Sequence, residues 1–205
     1  GEVYYLSRYD IAVFSGDLVQ NPDGTYRNVR FLSEGVQDSV GLEVLVKREI
    51  SERAYGWLSY TFSHSRTRNH PGDDYRLTAF DQPHVLNAVA SYKPWAGWEF
   101  GGRLQLASGR PDTPVIGSTF DADSGGYIPI RGPARSIRTP AFAQLDVRAE
   151  HTWLYDTWSL SLYLDIINVT NRKNVEAIQY DYRYRDSSPV TGFPILPTLG
   201  LKGTW

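Results

Sequence analysis

The chain has 205 residues, of which 21 are basic and 23 acidic, and a formal net charge of −2. Such a balance excludes the strongly basic surface of a nucleic-acid binder, and with no cysteine disulfides and thiolate metal sites are excluded too. No apolar run approaches the ~18 residues of a spanning helix, although a negative mean hydropathy also suits strands that turn only every second residue to hydrocarbon.

Taken in chain order, the sequence reads repeatedly in steps of two, the period of a strand whose successive side chains point to opposite faces. "VYYLSRYDIAVF" (Val3–Phe14) sets Tyr5, Tyr9, Ile11 and Val13 against Arg8 and Asp10. "SVGLEVLVKRE" sets Val40, Leu42, Val44 and Val46 against Glu43 and Lys47, and polar alternation extends over the whole of Tyr26–Glu49. "GWLSYTFSHS" opposes Leu58, Tyr60 and Phe62 to Trp57, Ser59, Thr61 and Ser63. "PHVLNAVASYK" opposes Leu86, Ala88, Ala90 and Tyr92 to Val85, Asn87, Val89 and Ser91. "WEFGGRLQLA" places Trp98, Phe100, Leu104 and Leu106 opposite Glu99, Arg103 and Gln105. "QLDVRAEHTW" places Leu145, Val147, Ala149 and Trp153 opposite Gln144, Asp146, Arg148 and Glu150. "TWSLSLYLDIINVTN" alternates Trp158, Leu160, Leu162, Leu164 and Ile166 with Ser159, Ser161, Tyr163 and Asp165. The last segment, "LPTLGLKGTW", alternates Leu199, Leu201 and Trp205 with Thr198, Lys202 and Thr204. Helical periodicity is absent, and eight strands in a single domain spanning residues 1–205 are predicted.

The connections alternate in length. Short turns are expected at Ile50–Arg53, Lys93–Gly97 and Leu154–Thr157, and long Gly-, Pro- and Asp-rich loops at 15–25, 67–81, 109–139 and 169–194. In a meander this puts every short turn on one rim and every long loop on the other, the asymmetry of an outer-membrane barrel. A soluble lipocalin-like barrel alternates as well, but with its apolar face inward around a ligand.

Two features bear on which face meets which medium. The polar-face acids Asp10, Glu43, Glu99, Asp146, Glu150 and Asp165 nearly balance the bases Arg8, Lys47, Arg103, Arg148 and Lys202, as along one continuous charged wall. Tyr92, Trp98, Trp153, Trp158 and Trp205 all fall on the apolar face beside short turns. Amphipathic rings at one level suit a membrane-interface girdle, where indole N–H and phenol O–H stay wet. These residues predict an all-β, antiparallel, up-and-down transmembrane barrel of about eight strands, either closed or forming an arc of a larger barrel. Glu43, Lys47, Glu99, Arg103, Asp146, Arg148 and Asp165 would line its lumen.

Motifs that could carry chemistry are sparse. "DADSGG" (Asp121–Gly126) resembles the start of a calcium loop, but position 12 is Gly132 where a bidentate Glu is needed. "HPGDDYR" (His70–Arg76) reads as a polar turn, and "PDG" (Pro22–Gly24) as a turn former. "NVTN" at Asn168 reads as turn chemistry at a strand end rather than as a glycosylation site. "YDYRYR" (Tyr180–Arg185) fits a strand extension, with ligand grip at a loop as the other reading. His64, His70, His84 and His151 are isolated from one another and have no ligand spacing. No catalytic residue, metal or cofactor is predicted.

The ordered set "GLEVLVKR" (Gly41–Arg48), "GWLSYTFSHS" (Gly56–Ser65), "FDQPHVLNAVASY" (Phe80–Tyr92), "SGRPDTP" (Ser108–Pro114), "LDVRAEHTW" (Leu145–Trp153), "LYLDIINVTNRKN" (Leu162–Asn174) and "PILPTLGLKGTW" (Pro194–Trp205) resembles the C-terminal third of the barrel of TonB-dependent outer-membrane receptors. The resemblance implies an arc of a barrel of about 22 strands in a Gram-negative outer membrane, with the C-terminus periplasmic. It implies uptake of a nutrient such as a siderophore, sugar or peptide, this chain supplying wall and outer loops and not being an enzyme. The partners implied are outer-membrane lipid and a plug-bearing or N-terminal barrel polypeptide that completes the wall. The inner-membrane energy-coupling complex would be reached only through that second part. The terminal Trp205, preceded by Leu201 and Leu199, resembles an outer-membrane insertion signal. Two other readings of the residues are a stand-alone small barrel with a structural or adhesive role and a soluble ligand-binding barrel.

Overall fold

A computed structural model describes residues 1–15, 18–28, 30–48, 51 and 53–205. Eight long strands form one antiparallel sheet: β1 (Glu2–Phe14), β2 (Phe31–Arg48), β3 (Ala54–Arg68), β4 (His84–Tyr92), β5 (Trp98–Ala107), β6 (Phe142–Leu154), β7 (Ser159–Ile167) and β8 (Leu196–Thr204). Each pairs with the next in the chain, so the sheet is a simple meander. Pairing among the described residues ends at β1 and at β8. The closed eight-strand ring is therefore not formed, and the sheet is an open arc.

The ladders hold the predicted faces in register. Arg103 stands opposite Asp146, Arg148 opposite Asp165 and Ser161 opposite Lys202, on one face. Leu162 stands opposite Leu201 and Leu164 opposite Leu199, on the other. Because the side-chain period is two, one slipped residue would exchange these faces. Near the end of β1 the register shifts twice, between Arg8 and Ile11 and again between Ile11 and Ala12. Asp10 takes a positive φ of 57°, so Arg8 pairs with Gln37 but Ile11, not Asp10, pairs with Gly35. This bulge turns Ile11 and Val13 to the face of Arg8, and the expectation that both join Tyr5 on the apolar face is corrected. Asp10, expected in the polar wall, is the bulged residue itself.

The packing has an unusual distribution. Among the described residues Val13 alone is a buried hydrophobic side chain, at 8% exposure. Leu199 and Leu201 are 70% and 69% exposed. A water-soluble domain of this length normally gathers such groups in a core. Here the leucines of β7 and β8 lie along one side of a single sheet, with Leu6 and Leu45 exposed on the other.

The short turns Lys93–Gly97 and Leu154–Thr157 fall where expected, with β6 running on through Leu154 and Trp158 in the turn just before β7. Of the turn Ile50–Arg53, Ile50 and Glu52 lie outside the described residues. The long connections are more ordered than expected. Hairpins occupy each of three: Leu18–Gln20 with Tyr26–Asn28, Val115–Asp121 with Gly126–Arg131, and Val175–Tyr180 with Ser187–Thr191. Gly16 and Asp17 of the first loop lie outside the described residues. Tyr26–Glu49 is not one strand but a hairpin arm followed by β2, with Val29 and Glu49 outside the described residues. "YDYRYR" is also corrected: it forms a hairpin tip rather than a strand extension. Asp181 there accepts hydrogen bonds from the backbone N–H of Arg185 at 2.7 Å and of Asp186 at 3.1 Å, which closes the turn.

Candidate functional site

The polar face carries a linked set of charges in a depression of about 510 Å³ between β4 and β8. On β6, alternation points Asp146, Arg148 and Glu150 to this face, and the ladders bring Arg103 from β5 and Asp165 from β7 alongside. Asp146 accepts from Arg103 Nε at 2.9 Å and Nη2 at 2.6 Å, from Gln144 at 2.9 Å and from the Asn168 backbone N–H at 2.8 Å. Arg148 donates to Glu150 at 2.7 Å and to Asp165 at 2.8 Å, and its guanidinium lies 4.0 Å above the Tyr163 ring. Each charge is thus compensated by hydrogen-bonded partners, which is the condition for placing charges out of bulk water.

Tyr163 is held in turn by an absence. A Cβ at Gly200, directly opposite on β8, would lie 2.2 Å from the ring, so only glycine lets the phenol lie flat on the strand. Tyr4 covers Gly41 in the same way at the other end of the sheet, at 2.4 Å. Aromatic cover of a strand glycine pins both the register and the ring.

Five of the seven predicted lumen residues, Glu99, Arg103, Asp146, Arg148 and Asp165, line this one depression. Glu99 accepts from Ser91 and pairs with Lys93 at 3.4 Å. Glu43 and Lys47 stand apart on β2 and enter no ion pair among the described residues. The five predicted girdle aromatics are all at least 39% exposed, and Trp205 reaches 98%. Trp98 stacks on Phe100 at 5.6 Å, His151 lies between Trp98 and Trp153 at 4.8 and 4.4 Å, and Trp158 stacks on Tyr155 at 4.4 Å. The rings form a near-continuous band beside the short turns of β4 to β7.

At the long-loop end the structure adds a latch that the sequence reading missed. Asp81, 1% exposed, accepts from the Ser65 backbone N–H at 2.7 Å and from Arg138, and lies 3.2 Å from His64 Nδ1. Arg138 also donates to the Asp81 and Gly109 carbonyls at 2.8 and 3.0 Å. The long loops 67–81 and 109–139 are thereby tied to each other and to β3. Asn168, also 1% exposed, performs the same task in the last loop, donating to the Arg172 and Phe193 carbonyls at 2.9 and 3.0 Å. That supports the turn reading of "NVTN". Asp121 of "DADSGG" accepts from Ser124 Oγ at 2.5 Å and from the Asp123 N–H at 3.2 Å, as in an ordinary hairpin tip. Among the described residues no cluster of three or more metal-ligating side chains is found.

No protein-family model matches the chain, and a search of curated proteins returns no relative. The functional reading therefore rests on its own residues and geometry.

Proposed function

We propose that this chain is part of the wall, with the outer loops, of a TonB-dependent receptor or transporter in a Gram-negative outer membrane. Its apolar face would meet lipid, its charged face the lumen, and its C-terminus the periplasm. In this reading it takes part in import of a nutrient such as a siderophore, sugar or peptide, and a second polypeptide segment bearing the plug completes the barrel.

One observation carries the reading: a meander of eight strands with a compensated charge network on one side and leucine, valine and tryptophan exposed along the other. Exposed apolar surface on this scale is unfavourable in water and favourable against hydrocarbon. In lipid every backbone N–H and C=O must also be paired, so an arc with two open edges requires further strands. The arc favours a share in a larger wall over a complete small barrel. A soluble ligand-binding barrel would turn the leucines of β7 and β8 inward.

Nitroxides at Leu162 and Ser161, neighbours on opposite faces of β7, test this directly in the outer-membrane-extracted chain with whatever co-purifies. The label at 162 is expected to be relaxed by lipid-soluble oxygen, and the label at 161 by an aqueous paramagnetic quencher. Reversed or equal accessibilities would remove the membrane reading.

A further inference from the structure

The charged face holds a second set of side chains, on β2 and apart from the network of β5 to β7. Glu43, Leu45 and Lys47 alternate along that strand with Val44 and Val46, so all three point to the charged face. Glu2 of β1 stands directly opposite Glu43, and with Leu45 the two acids line a depression of about 500 Å³. Neither carboxylate makes an ion pair among the described residues. Like charges directly across a ladder repel, so this rung calls for a cation.

The depression nearer the short-turn rim, of about 610 Å³, has the opposite sign. Lys47, Arg53 and Lys93 line it with one acid, Glu99. Glu99 is already shared between Lys93 at 3.4 Å and Ser91, and neither Lys47 nor Arg53 has an ion-pair partner among the described residues. Leu45 lies between the two poles and is 63% exposed, on the face that looks into the lumen in the membrane reading. Glu43 and Lys47 are four residues apart on one strand, which separates the poles by about 13 Å at ~3.3 Å per residue.

We infer that the imported nutrient is a short extended peptide with free termini, and that this part of the wall binds it. Its ammonium lies between Glu2 and Glu43, its middle runs over Leu45, and its carboxylate meets Lys47 and Arg53 near the rim. The inference rests on the function proposed above and narrows its solute. A chain of about four extended residues spans about 13 Å between its charged ends, whereas a single amino acid is too short to reach both poles. A neutral sugar leaves both poles unpaired. An anionic chelate pairs the cations but leaves Glu2 and Glu43 facing each other.

The test is calorimetric titration of the detergent-extracted chain, with its co-purifying partners, using tetraalanine, its N-acetylated form and its C-terminal amide. Tetraalanine is expected to bind roughly threefold to tenfold more tightly than either capped form. Glu43→Gln should weaken tetraalanine to the same extent and leave the N-acetylated peptide unchanged. Lys47→Gln should weaken tetraalanine likewise and leave the amide unchanged. Lys202→Gln, which removes a cation from the same face on β8, should alter none of the three. No binding of tetraalanine, equal binding of all three peptides, or an equal loss in the Lys202 variant would each overturn the site. The nitroxide pair on the same samples separates the two failures. With Leu162 in lipid and tetraalanine unbound, only this inference falls; with Leu162 outside lipid, the membrane reading falls and import of the peptide with it.

Discussion

The loop latch gives the most quantitative prediction. Between its last pair with β4, at Phe62, and its pairing with Arg76–Leu77, at Arg66 and Thr67, strand β3 has no strand neighbour on that side, and three groups bridge the gap. The Pro83 carbonyl accepts from the Ser63 N–H at 3.1 Å, the Asp81 carboxylate from the Ser65 N–H, and the Ser65 carbonyl from the Thr78 N–H at 3.0 Å. A side chain thus replaces strand backbone at one rung, and it also neutralises Arg138. Asp81→Ala leaves the Ser65 amide without an acceptor and Arg138 without its counter-charge. Breaking a buried pair costs about 3–5 kcal/mol. Arg138 is one-third exposed and keeps its two carbonyl acceptors, so the low end, about 3 kcal/mol, is expected. That corresponds to roughly a hundredfold more frequent opening of the latch. Hydrogen exchange of the micelle-bound chain should show this acceleration at residues 63–67 and 76–81 and leave β7 unchanged. Asp81→Asn keeps one acceptor oxygen but loses the charge, and should cost about 1–2 kcal/mol. Exchange unchanged within a factor of three in Asp81→Ala, or equal damage from Asn and Ala, would refute the assignment of the latch to the carboxylate.

Two further outcomes are expected. Gly200→Val places a side chain where the Tyr163 ring lies, so the ring must leave its seat over Gly200 and its contact with Arg148. Denaturant titration should show a loss of about 1–3 kcal/mol, and Gly203→Val, whose Cβ position has no neighbour within 4 Å, should be nearly neutral; equal effects would refute the pairing of ring and glycine. Hydrogen bonds from the Asp186 and Arg185 N–H groups hold the Asp181 carboxyl below the ordinary aspartate range. Its folded-state value is depressed, so its hold on the hairpin tip is full above the unfolded value and is lost as pH falls through the folded one. Carbon-detected titration of Asp181 should give a midpoint below the ordinary aspartate range; a midpoint within or above that range would refute the capping role.

Alternation alone placed Arg103, Asp146, Arg148 and Asp165 on one face and Leu162, Leu164, Leu199 and Leu201 on the other, because a strand's side-chain period is two whatever its neighbours are. The rims were legible for a similar reason: Gly, Pro and Asp gather where the chain must turn. What periodicity could not carry was any contact between distant segments. The Asp81–Arg138 pair spans 57 residues and joins two stretches that read only as polar loop. The hairpins inside those loops have too few residues per arm for a clear period. The Asp10 bulge escaped as well, since a positive φ at an aspartate changes parity without any break in composition. Whether the arc closes was likewise undecidable from period, because closure depends on strand tilt and on partners for β1 and β8. Local sterics write the faces and the turns into the chain, whereas registers, latches and edges arise only when remote backbone groups compete for the same hydrogen bonds.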